Sequence, residues 1–122
     1  METRIITELH PNEVFVFSSN LLGLHVGGAA LTAKLKFGAE TGVGEGVTGQ
    51  CYAIPTCSRP GVPFGSIEDV RPYVDTFLLF AEGYLDKTFL MTPIGTGIAG
   101  FSKEDLNSLF TDIPFNVILL WQ

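Results

Sequence analysis

A chain of 122 residues has the length of one domain and buries roughly two thirds of its unfolded surface, enough for a core without staples. Its 46% apolar share lies in the globular range and argues against disorder. Thirteen acidic residues oppose seven basic ones, for a net charge of −6, and Lys34 and Lys36 are the one close basic pair; too few clustered cations exist to displace counterions from nucleic acid, so that partner is not expected.

The start, "METRIITELHPNE", lacks the positive-then-apolar pattern of a secretion signal. Apolar runs such as "YVDTFLLFAEGYL" are broken by Asp75 and Glu82, short of the ~20 residues that span a bilayer. An intracellular, cytoplasmic protein without a membrane partner is therefore expected. Cys51 and Cys57 have neither C-x-x-C spacing nor a helper cluster and read as buried thiols, implying no disulfide and no metal. No cofactor is implied, and nothing in the sequence sets the oligomeric state.

In chain order, "RIITEL" reads as a short edge strand or an extended lead-in. "NEVFVF" (12–17) is short, apolar and unalternating, as buried strands are, and Ser18, Ser19, Asn20 and Gly23 are expected to break it. "GGAALTAKLKFG" (27–38) switches to helical spacing, with Gly38 as its stop. Residues 39–50 hold four glycines and no apolar period, which predicts a loop. "CYAIP" (51–55) is a second buried strand closed by Pro55, and 56–65 an irregular loop rich in proline and glycine.

Ser66 with Asp69 forms a capping-box-like start, and Pro72 belongs in the opening turn of the helix that follows. Val74, Phe77, Leu78 and Ala81 recur at helical spacing until Gly83. "KTFLMTPI" (87–94) is a third strand, Ser102 and Asp105 start a short third helix, and "FNVILLW" (115–121) is the last strand. The order β-α-β-α-β-α-β with continuous apolar strands predicts one α/β domain, 1–122, in three α/β/α layers around a mainly parallel sheet. In such folds ligands sit beyond the C-terminal ends of the strands, where residues 18–28, the loop after Pro55 and residues 94–101 fall.

Two segments carry the spacing G-x-G-x-x-G. Gly44, Gly46 and Gly49 lead into a strand, so they read as tight turns, or as a loop whose backbone or Glu45 touches a ligand. Gly95, Gly97 and Gly100 follow a strand and precede a capped helix start, where small residues let backbone amides approach an anion and the helix end adds about 0.3–1 kcal/mol. A further strand ending in an acidic residue about 20 positions on would complete a dinucleotide site, and it is missing. No Gly-Lys-Ser/Thr ending marks a P-loop. In the first crossover Gly27 and Gly28 supply a second set of amide donors, and Asn20 either bonds a ribose hydroxyl or locks the loop.

The series "VFVFSSNLLGLHVGGAALTAKLKFGA", "GVGEGVTGQCYAIPT" and "IGTGIAGF" resembles a macrodomain, the ADP-ribose-binding module, and in particular small macrodomain-like proteins of bacteria and their phages. The likeness spans residues 12–110. It implies binding of ADP-ribose or of an ADP-ribosylated protein, with Asn20 facing the distal ribose and Gly27 and Gly28 lining the phosphate channel. Gly95, Thr96, Gly97, Ile98, Ala99 and Gly100 would wrap the diphosphate. Phe101 would pack against the distal ribose or adenine, or serve as a core aromatic behind the loop.

The chain departs from the family at Ser18 and Val26, where glycine is usual, and lacks the upstream Gly-Asp element used for adenine. Asn20, His25 and Glu45 are the candidate catalytic residues should the module hydrolyse ADP-ribosyl groups or process an ADP-ribose phosphoester. An interaction protein whose pocket is occluded by Val26 is the remaining alternative.

Overall fold

Val14 and Val16 alternate with Phe15 and Phe17 along the first strand, and all four are buried, so the strand must be covered on both faces. In the computed structural model, which describes residues 6–97 and 99–122, it does so as the centre of a six-stranded sheet. Strand β1 spans Glu13–Asn20, β2 Gly46–Thr48, β3 Cys51–Arg59, β4 Val62–Pro63, β5 Thr88–Met91 and β6 Val117–Leu119. The main path runs β2-β3-β1-β5-β6, with β4 also paired to β3. The β1–β3, β1–β5 and β5–β6 pairs are parallel, whereas β2 and β4 lie antiparallel to β3.

The helices are α1 (Gly28–Lys36), α2 (Arg71–Glu82) and α3 (Lys103–Ser108), with a single 3-10 turn at Ile67–Asp69. Val14, Val16, Tyr52, Ile54, Phe89 and Met91 share one cluster with Val74 and Phe77 of α2 and Leu106 of α3. Phe15, Phe17, Cys51 and Ala53 join Ala33 of α1 and Phe37 in another. Alternation along β1 and β3 sends neighbouring side chains into different clusters, so the sheet separates two cores.

Several sequence expectations change in tertiary context. Strand β1 does not stop at Ser18 but continues to Asn20, because β3 pairs alongside it as far as Cys57. The 39–50 segment is not all loop: Gly46–Thr48 forms β2, held as a hairpin arm on β3. Pro55 does not close β3. On the edge away from β1, residues 51–53 pair with β2, and Cys57 and Arg59 with β4, so Pro55 falls between the two ladders, where a missing N–H costs least. The expected irregular loop from Thr56 therefore contains the end of β3 and a hairpin into β4.

Other expectations hold. Asp69 accepts from the Ser66 N–H at 3.0 Å, Pro72 sits in the opening turn of α2, and Gly83 caps its end. At α3 Ser102 accepts from the Asp105 N–H at 3.0 Å. Of the N-terminal stretch, residues 1–5 lie outside the described residues; Ile6 and Leu9 are non-strand and pack against the Phe15–Phe17 core.

Candidate functional site

Parallel pairing of β3, β1 and β5 puts their C-terminal ends side by side, and a groove of about 390 Å³ opens there. Ser18, Ser19 and Asn20 end β1; Thr56 and Cys57 belong to β3; Thr92, Pro93 and Gly95 follow β5. The start of α1, residues 26–30, forms a further wall, and Gly97 and Ala99 complete the rim over β5. The volume lies in the range of small-molecule sites.

Two sets of backbone amides border this groove. The first helical bond of α1 runs from the Leu31 N–H to Gly27 O at 3.2 Å, which leaves the N–H groups of Gly28, Ala29 and Ala30 without a partner inside the helix. Helix α1 has no acidic residue in its first turn and carries Lys34 and Lys36 in its last, so its positive end is uncompensated. Across the groove, the amides of Gly95, Gly97 and Ala99 donate to no backbone carbonyl among the described residues. The loop is held by other bonds: Phe101 N–H to Gly95 O at 2.8 Å, Gly100 N–H to Gly97 O at 3.0 Å, and the Thr96 hydroxyl to Pro93 O at 2.8 Å.

Gly95 is required by this geometry. Its φ is +76°, and a Cβ there would lie 2.8 Å from Cδ2 of Phe101. Gly97 differs, for a Cβ there would meet nothing within 4 Å. Ile98 lies outside the described residues.

The lining carries no Asp, Glu, His, Lys or Arg among the described residues. Anion capture there would rest on main-chain dipoles alone. Among the described residues Cys57 is the one titratable side chain on the wall, and both cysteines are free thiols.

The sequence candidates divide. Asn20, Gly27, Gly28, Gly95, Gly97 and Ala99 all line the groove. Thr96, Gly100 and Phe101 do not: the Phe101 ring packs beneath the loop against the core, and the Thr96 hydroxyl is spent within the turn. Asn20 locks its loop, its amide donating to Leu24 O at 2.9 Å while its Oδ1 accepts from the Leu24 N–H at 3.2 Å. The helix end expected to favour an anion after Gly100 is also displaced, because α3 begins outside the lining and its own Glu104 and Asp105 already occupy its first turn.

Two of the three candidate catalytic groups are elsewhere. His25 is 3% exposed, set edge-on to Phe17, and its Nε2–H donates to Glu40 O at 3.1 Å. It braces the 21–28 loop from behind. Glu45 is exposed outside the groove; burial first, and then the Glu45 charge, push the Tyr52 hydroxyl above its ordinary range.

Of the 44–49 glycines, Gly46 opens β2, whereas Gly49 lies in a turn and both Gly44 and Gly49 permit close backbone packing. The Gly44 carbonyl accepts from the Ser19 hydroxyl, and a Cβ on Gly44 would overlap the Asn20 and Leu21 carbonyl oxygens. Val26, expected to obstruct, lines the groove but is 68% exposed, so most of its side chain faces outward.

Ser18, Thr56 and Cys57 are wall residues that sequence reasoning did not select. The available signal was the parallel β1–β3 pairing, which sets Ser18 beside Ile54 and so leaves Thr56, two residues further on the same face, within diagonal reach once β3 is allowed to pass Pro55.

No family model matches the chain, and neither a curated protein nor a solved structure does. Among the described residues no helix is long and apolar enough to cross a membrane, and no group of His, Cys, Asp and Glu is placed to hold a metal ion.

Proposed function

We propose that the chain is a macrodomain-like protein, with helices layered on both faces of its sheet, that binds ADP-ribose or a related nucleotide diphosphate in the groove above β1, β3 and β5. One observation carries this reading: the amides at the start of α1 and those of the 95–99 loop border one groove of about 390 Å³. A pyrophosphate set between them receives hydrogen bonds from both walls and needs no cationic side chain. That suits an acidic chain whose groove has an uncharged lining.

Turnover is the second reading, and the side chains lend it little. With His25 buried and Glu45 outside, no acid–base group lines the groove among the described residues, so hydrolysis of an ADP-ribosyl bond would draw its base from the ligand's own phosphate. Incubation with an ADP-ribosylated protein and with an ADP-ribose phosphomonoester tests this reading: release from either supports turnover, and no release from both leaves binding alone.

The test of binding is calorimetry with ADP-ribose on the wild type and on Gly97→Val. Ligand that binds only the folded state should raise the wild-type melting temperature. The open position of Gly97 lets valine fold while its methyl groups crowd the amides, so the variant should melt like the wild type and bind no ligand. A wild type showing neither heat nor stabilisation at millimolar ADP-ribose refutes the reading, and unchanged affinity in Gly97→Val removes the 95–99 loop from the site.

A further inference from the structure

The end of the sheet away from the groove holds another cavity, of about 270 Å³, at the starts of β1 and β3. Val14, Val47, Gln50, Phe80, Tyr84 and Lys87 line it. Val47 pairs with Tyr52 across β2 and β3, so both side chains face α2, where the Phe80 ring stands 5.2 Å from Tyr52 and 4.6 Å from Tyr84. Val47 is 55% exposed and Tyr84 45%, which leaves the mouth open and largely apolar. Two side-chain amides fix the rims. Asn116 Nδ2 donates among the carbonyls of Ala81, Tyr84 and Lys87, each 3.1 Å away. Gln50 Nε2 donates to His10 O at 2.8 Å and to Glu13 O at 3.0 Å. The walls are therefore set before any ligand arrives. Lys87 is half-buried and forms no ion pair among the described residues. Glu13, the one acid bordering the cavity among them, stands one position before Val14 and so falls on the opposite face of β1; its carboxylate already accepts from the His10 N–H at 2.8 Å.

We propose that this cavity is a second binding site, for a small aromatic monocarboxylate whose ring packs on Phe80, Tyr84 and Val47 and whose carboxylate meets the Lys87 ammonium. The aromatic wall supplies the area that a ring covers, edge-on or offset. One ammonium balances one negative charge, so a monocarboxylate fits better than a doubly charged phosphate ester. Its hydrogen bond to the ammonium, being charge-assisted, is about twice as strong as a neutral one. The volume falls below that of drug-sized pockets and suits one ring with a short acid. Lying at the opposite ends of the strands, the site stands independently of the ADP-ribose reading.

The experiment follows backbone amide NMR shifts of wild type, Lys87→Gln, Lys87→Arg and Tyr84→Ala during titration with phenylacetate and with its neutral analogue phenylacetamide. The wild type should bind phenylacetate at millimolar concentration, with shifts at residues 47–50 and 84–87 and none around the groove. Lys87→Gln should lose roughly tenfold in phenylacetate affinity, the worth of one charge-assisted hydrogen bond, and leave phenylacetamide unchanged. Lys87→Arg should keep most of the affinity, and Tyr84→Ala should weaken both ligands. Asn116 and Tyr84 hold the backbone of Lys87 and not its side chain, so both Lys87 variants should keep the turn, which melting curves without ligand check. No shifts with phenylacetate, shifts centred on the groove, or a Lys87→Gln variant that binds phenylacetate as the wild type does overturns the site. Equal losses on both ligands in Lys87→Gln overturn it too. None of these outcomes touches the ADP-ribose reading, whose own titration is separate.

Discussion

Asn20→Asp changes one atom at the point where fold and site meet. The amide closes a reciprocal pair with the Leu24 backbone, donating at 2.9 Å and accepting at 3.2 Å. A carboxylate keeps the acceptor for the Leu24 N–H but sets its second oxygen against Leu24 O, acceptor to acceptor, in a side chain only 7% exposed. Loss of that bond with both oxygens left unsatisfied should cost about 1–3 kcal/mol of stability at pH 7. The sign with pH follows from the same contact. A protonated carboxyl regains a donor for Leu24 O, so the folded state raises the introduced group's pKa above its unfolded value near 4. Protonated fully below pH ~4, the variant should approach wild-type stability there and fall away as pH rises through the raised value.

The new charge also acts on the ligand. A carboxylate on the groove wall would repel a pyrophosphate, at an effective dielectric constant of about 20, by on the order of 2 kcal/mol per unit of ligand charge, or roughly 30-fold in affinity. Urea denaturation between pH 4 and 8 and ADP-ribose titration read the two effects separately, with Asn20→Ala as the variant that loses both bonds and adds no charge. Stability equal to wild type across that pH range would show that the amide does not hold the loop. Equal affinity losses in Asn20→Asp and Asn20→Ala would show that charge at this wall is irrelevant.

Two further outcomes are expected. Gly95→Ala forces a side chain into left-handed backbone, costing about 1–2 kcal/mol, and drives its Cβ to 2.8 Å from the Phe101 ring; thermal melts should show it clearly less stable than Gly97→Ala, and equal melting would contradict the loop geometry. The Cys51 thiol, 0% exposed under α1, is pushed up to about 12 by burial, the Ala39 backbone opposing weakly. An unfolded chain ionises that thiol from pH ~9, so stability should be constant below that and fall by about 1.4 kcal/mol per unit toward pH 12. Burial, with the Glu45 charge second, raises Tyr52 in the same direction. Urea denaturation between pH 8 and 11 should therefore show a slope that Cys51→Ala reduces but does not abolish.

Local order was legible wherever one physical rule governed a segment. The caps at Ser66 and Ser102, Pro72 in the first turn of α2 and the stop at Gly83 follow from hydrogen-bonding needs within a few residues. The switch from strand to helical spacing at Gly27–Gly28 placed α1, and the unalternating runs at 12–17 and 51–55 announced strands buried on both faces. From that order came the α/β class and the sheet edge at which the groove lies.

Where partners are distant in the chain, the sequence was silent. Proline and glycine around β3 read as an end and a loop, because nothing local says that β2 and β4 pair on either side of Pro55. His25 and Glu45 were candidates by residue type alone. Which way a side chain turns depends on the carbonyl of Glu40 in one case and on the path of 44–46 in the other. Asn20 offered two roles with the same amide, and only the position of Leu24 decided between them. Ser18 and Thr56, 38 residues apart, meet diagonally across parallel strands whose register sets Ser18 beside Ile54. Short-range hydrogen bonding and periodicity are written in consecutive residues; the convergence of groups on a groove is a property of strand registry, and that is set by the packing of the whole sheet.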